Sequence, residues 1–70
     1  MRGNEFIKKV QRYAKLKNIT CMWHPDKGKG SHGVLTLNTR ITVVRNPKDE
    51  LKSGTLHGML KQLDLRLDEL

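Results

Sequence analysis

The chain has 70 residues, with 14 Lys or Arg against 7 Asp or Glu, a formal charge of +7 and 36% hydrophobic content. These proportions describe one small basic domain and exclude two domains, a membrane span and a disulfide scaffold, since the longest apolar run is Cys21-Met22-Trp23 and Cys21 is the single cysteine. A chain this short buries only about 60% of its unfolded surface, so its chemistry is expected near the surface and not in a deep cavity.

The first predicted element is a helix over residues 4–17, where Phe6, Ile7, Val10, Tyr13 and Ala14 fall on one face. Asn4 is expected to cap its start and Asn18 to stop it. Lys8, Arg12 and Lys15 fall at helical spacing on the opposite side, as a stripe able to follow a phosphate backbone.

Three short segments rich in β-branched residues follow: Ile19 to His24, His32 to Leu37 and Ile41 to Val44. They predict an antiparallel meander broken by Pro25 with the polar run 26–30, and again at Asn38-Thr39-Arg40. Two connections are open for the second break. A two-residue Asn38-Thr39 turn would set Leu35 and Leu37 on the face of Arg40 and Thr42, whereas a three-residue loop groups them with Ile41 and Val43. Apolar grouping favours the three-residue loop. In the first pair, Ile19, Cys21 and Trp23 are expected on the core face, with the Trp23 ring near Gly33. Met22 and His24 then share the other face with His32, and His24 stands directly across from it. Cys21 reads as a small core residue. Because it points away from His24 and His32, a zinc site from these three is not expected.

Asn46-Pro47 stops the third strand, and a second helix runs from Ser53 or Gly54 with Leu56, Met59, Leu60 and Leu63 at i, i+3, i+4 and i+7. Gly58 within it suggests close approach of a neighbour. Leu67 and Leu70 continue the stripe, so the tail is expected either to extend the helix or to fold against a partner. Charge divides the chain at the same place: residues 1–63 sum to +9 and the last seven to −2. A basic body points to an anionic partner, most simply a nucleic acid.

The order helix, three strands, helix on a short basic chain is that of the double-stranded-RNA-binding fold, an α+β arrangement with both helices on one face of a three-stranded antiparallel sheet. Lys29-Gly30-Ser31-His32 before a strand, and Glu50-Leu51-Lys52-Ser53-Gly54-Thr55-Leu56 opening the last helix, resemble the HicA family over roughly residues 4–65. The resemblance implies a single-domain bacterial toxin, located in the cytoplasm, that cleaves messenger RNA and is neutralised by a HicB-like antitoxin. It also implies that the catalytic histidine is His32. Two departures stand out: Asn46-Pro47 where many members have His-Pro, and the Trp23-His24-Pro25-Asp26 stretch.

The residues support this chemistry by themselves. RNA brings its own nucleophile, the 2′-hydroxyl, so cleavage needs proton transfer and charge stabilisation but no metal or cofactor. An imidazole, with an ordinary pKa near ~6.5, can transfer a proton at neutral pH. His32 is the expected catalytic group and His24 a candidate helper. Lys27, Lys29, Gly30, Ser31 and Arg45, with Lys8 and Arg12 of the first helix, form the expected substrate-binding set. A non-catalytic RNA-binding module using the same surfaces is the alternative.

Overall fold

Phe6, Ile7, Val10 and Ala14 are the side chains that the first helix, α1 (Gly3–Lys17), buries, as their spacing requires. The computed structural model describes residues 1–25 and 32–70. The start of α1 differs from expectation, because Arg2 and not Asn4 is the N-cap residue and it makes no side-chain cap. The N–H groups of Gly3 and Asn4 donate to the carbonyls of Asp49 (3.1 Å) and Pro47 (2.7 Å) instead. The turn after the third strand therefore satisfies donors that every helix start leaves open. That close approach explains Gly3, where a Cβ would stand 2.7 Å from the Cα of Pro47. The Met1 ammonium pairs with Glu50, tying the chain start to the same segment.

Helix α1 stops at Asn18, which takes a left-handed φ of 57° while the Ile19 N–H donates to the Ala14 carbonyl at 2.8 Å. Asparagine tolerates that conformation better than most residues, so the predicted stop is also the observed one.

Strands β1 (Cys21–His24), β2 (Gly33–Leu37) and β3 (Arg40–Val44) form an antiparallel sheet in the order β1-β2-β3. Cys21 lies opposite Leu37 and Trp23 opposite Leu35, which puts both on the core face as expected. The Trp23 ring covers Gly33 so closely that a Cβ there would lie 2.2 Å from it.

The β2–β3 connection corrects the sequence reading. Leu37 pairs with Arg40, Leu35 with Thr42 and Gly33 with Val44, so the loop is the two-residue Asn38-Thr39 turn. Thr42 and Val44 go inward, while Ile41 and Val43 stay 57% and 48% exposed on the far face. Two features, one in the turn and one reaching from α2, make this register work. Asn38 takes the positive φ (58°) that a two-residue hairpin demands, and the Thr42 hydroxyl, buried in the core, donates to Gln62 Oε1 at 2.5 Å. Grouping by hydrophobicity alone missed a threonine whose polar atom is satisfied from the neighbouring helix.

Helix α2 (Ser53–Leu63) buries Met59, Leu60 and Leu63 and half-buries Leu56. Gly58 does not admit a neighbour, because it is exposed and an added Cβ would meet nothing within 4 Å. The helix ends as α1 does, with Asp64 at φ 58° and the Leu65 N–H donating to the Leu60 carbonyl at 2.8 Å. The tail thus leaves the helical stripe: Leu65 is buried and Leu67 is exposed. A 3-10 turn over Leu67–Glu69 returns the chain to α1, where the Tyr13 hydroxyl donates to Glu69 Oε2 at 3.3 Å. The tail accordingly does not extend α2, and Leu70 packs against the core.

Phe6 and Val10 from α1, Leu35 and Val44 from the sheet, and Leu60 and Leu63 from α2 belong to one buried cluster. Both helices therefore cover the same face of the sheet, the α+β arrangement expected. None of the helices formed by the described residues is long and apolar enough to cross a membrane.

Candidate nucleic-acid cleavage site

The side chains on the uncovered face follow from strand alternation. Val34 and Thr36 in β2, Ile41 and Val43 in β3, and Met22 and His24 in β1 point away from the helices. His32 immediately precedes β2 and has the parity of Val34, so it stands on this same face. Its Nδ1 is buried and has no hydrogen-bond partner among the described residues. A buried imidazole nitrogen normally finds a partner, so an unpaired one marks His32 as an exception within the fold.

Arg45 extends this arrangement. Gly33 pairs with Val44, so the next position in the same register sets Arg45 beside His32, at the end of the sheet away from the Asn38-Thr39 turn. Arg45 is exposed. His24 requires a correction. It pairs with Val34 and not with His32, which makes the two histidines diagonal neighbours on one face. Diagonal side chains on adjacent strands stand roughly 7–8 Å apart, so a substrate atom fits between them more readily than a direct hydrogen bond.

The remaining expected residues separate into two groups. Lys27, Lys29, Gly30 and Ser31 lie outside the described residues. Lys8 and Arg12 are exposed on α1, on the side turned away from the sheet. They are therefore in a different layer from His32 and cannot touch the same phosphate. The folded-back tail reaches Arg12, because Glu69 and Leu70 share a small cleft with Lys9, Arg12, Tyr13 and Leu16.

A family model described as the HicA toxin of bacterial toxin-antitoxin systems matches residues 14–65, well over half of the chain. The chain belongs to the HicA toxin family. It is thus a toxin of a toxin-antitoxin system, and an antitoxin is its implied partner. The HicA match includes all three strands, α2, both histidines of the uncovered face and Arg45, but leaves Lys8 and Arg12 outside it. No curated protein and no solved structure matches the chain.

Two groups away from the uncovered sheet face have shifted titrations. Burial pushes the Cys21 thiol up from its ordinary value. Desolvation pushes the Tyr13 phenol up, and the charge and hydrogen bond of Glu69 and the charge of Asp64 act in the same direction.

A groove between β3 and α2, lined by Ile41, Val43, Arg45, Gly58, Met59 and Gln62 among others, encloses about 470 Å3. Sequence reasoning missed it, because it placed Ile41 and Val43 in the core and gave Gly58 a close neighbour. The signal that would have found it is Asn38, a residue suited to positive φ at the first position of a two-residue turn.

Proposed function

We propose that this toxin is an endoribonuclease that cleaves messenger RNA without a metal or cofactor, using His32 for proton transfer, and that a HicB-like antitoxin neutralises it. The observation that carries this reading is the register that gathers His32, His24 and Arg45 at one end of the uncovered sheet face, with Arg45 next to His32. Cleavage begins as the 2′-oxygen of the RNA attacks the adjacent phosphorus and gives up its proton. The bond to the 5′-oxygen breaks, and that oxygen takes up a proton as it leaves. His32 makes one of these transfers. His24, diagonal to it on the same face, is the group available for the other. Arg45 meets the charge that builds on the phosphoryl oxygens. Lys27, Lys29, Gly30 and Ser31 complete the binding set next to His32 in the chain, and Lys8 and Arg12 hold a more distant part of the same strand.

The test is cleavage of RNA by the purified chain in excess chelator, set beside His32→Ala and a substrate lacking 2′-hydroxyls. Cutting by the native chain alone, and only of RNA, is expected. If neither chain cuts but both bind, the protein is a non-catalytic RNA-binding module. Cutting of the deoxy substrate would replace the 2′-hydroxyl with an activated water as nucleophile.

A further inference from the structure

The third strand closes no sheet on its outer side. β3 is an edge strand, and among the described residues nothing pairs with its free edge. The register determines which backbone groups that edge presents. A two-residue turn closes on a pair that exchanges both backbone hydrogen bonds, here Leu37 with Arg40. Alternation then makes Leu35–Thr42 and Gly33–Val44 the bonded pairs, and turns the N–H and C=O of Ile41 and Val43 outward.

Natural proteins usually blunt such an edge with a proline, an inward charge, a bulge or a covering element. β3 has none of these along Ile41 to Val44. A groove of about 470 Å3 runs beside it instead, with Thr55, Gly58, Met59 and Gln62 of α2 forming the opposite wall at one helical spacing. Gly58 leaves that wall open, since even a Cβ there would touch nothing within 4 Å.

We infer that the β3 edge and its groove are the docking site of the antitoxin, which enters as an acidic extended segment and adds a fourth strand to the sheet. This rests on the toxin-antitoxin reading above. An added strand would pair its backbone with Ile41 and Val43, seat alternate side chains over Gly58 and Met59, and lay the others beside Ile41 and Val43 on the uncovered face. Charge selects the occupant. Arg45 is the charged side chain among the described residues lining the groove, and no carboxylate lines it, so an acidic side chain of the incoming segment has a partner there.

The same charge argues against a second copy of this chain. Pairing two β3 edges would join two chains of +7 each and bring Arg40 and Arg45 of each copy toward the other. Single-stranded RNA is a poor occupant as well, since the groove offers aliphatic walls and an unpaired peptide edge and no aromatic stacking platform. Docking here also regulates the site, because the segment that occupies Arg45 removes the cation next in register to His32.

Amide hydrogen exchange by NMR, on the isotopically labelled toxin alone and with the HicB-like antitoxin from the neighbouring reading frame, tests the inference. At an antitoxin concentration of 100 times Kd, the Ile41 and Val43 amides are expected to slow by about 100-fold. The Thr42 amide, already bonded to β2, is the internal reference. A complex that forms without slowing Ile41 and Val43 overturns strand addition while leaving the ribonuclease reading intact. Failure to form any complex removes the antitoxin and this docking site together, again without touching RNA cleavage. Slowing by RNA or by self-association, in place of antitoxin, assigns the edge to those occupants and also overturns the inference. The variant Val43→Pro is a second arm. It deletes an outward N–H that β2 does not use, so the sheet is retained, and antitoxin binding is expected to weaken at least about tenfold, the loss of roughly 1.4 kcal/mol.

Discussion

Leu35, Thr42 and Val44 on one face of the sheet, and Val34, Ile41 and Val43 on the other, are chemically similar sets with opposite fates. The first set is sealed under two helices, whereas Ile41 and Val43 remain about half exposed. The difference does not come from hydrophobicity, since an isoleucine lies outside and a threonine inside. It comes from the turn, which fixes register, and from Gln62, which satisfies the buried hydroxyl. The covered face therefore carries stability, and the uncovered face, with His24, His32 and Arg45 at its end, is left available for chemistry and binding.

Substitutions on the two faces should separate these roles. The largest effect is expected at His32. His32→Ala should lower RNA cleavage by about 10²–10⁴-fold, measured as initial rates on a labelled transcript, while the thermal midpoint stays near that of the native chain. An equal loss of stability and activity would make His32 a structural residue and merge the two faces.

On the covered side, Leu35→Ala should cost about 2–5 kcal/mol, read from denaturant unfolding. For a domain of this size each kcal/mol moves the midpoint by roughly 4–8 °C. Gly33→Ala should cost about 1–3 kcal/mol, because its Cβ would displace the Trp23 ring, and a shift of the tryptophan fluorescence should accompany the loss. Both variants should retain the site chemistry in the fraction that remains folded.

A smaller pair of substitutions sharpens the register itself. Thr42→Val removes the bond to Gln62 and should cost about 0.5–1.5 kcal/mol, whereas Ile41→Ser should stay within about 0.5 kcal/mol. The reverse order would restore the three-residue loop, with Ile41 inside.

The smallest effect is alkaline. The Cys21 and Tyr13 pKa values are both raised in the folded chain, so their contribution is full below the unfolded values and is lost as pH rises through the folded ones. Stability should therefore begin to fall above about pH 8.5, where an unfolded thiol ionises, and fall further above about pH 10 for the phenol. The thermal midpoint of Tyr13→Phe and Cys21→Ala, followed between neutral and alkaline pH, should decline less than that of the native chain.

Much of this molecule is legible residue by residue. The apolar stripe of α1, the stop at Asn18, the Leu56 to Leu63 spacing of α2 and the contact between Trp23 and Gly33 are all local or nearest-strand features, and sequence reasoning placed them correctly. The site was legible in part. His32, His24 and Arg45 do share a face, but the exact pairing of His24 did not follow from alternation, which gives the face and not the partner. The groove and the cap of α1 by Pro47 and Asp49 were illegible, because both depend on elements more than a dozen residues apart.

By itself the sequence determined the order of elements, their apolar faces and the family motifs, since periodicity, asparagine stops and a Gly-Ser-His run are properties of short stretches. The tertiary structure decided which β3 residues go inside, where the acidic tail rests and which edge stays open. Those choices turn on a buried hydroxyl finding Gln62, a left-handed Asp64 turning the tail back to Tyr13, and two carbonyls reaching the start of α1. Each is a polar group satisfied at long range, and hydrophobic patterning carries no information about such a partner.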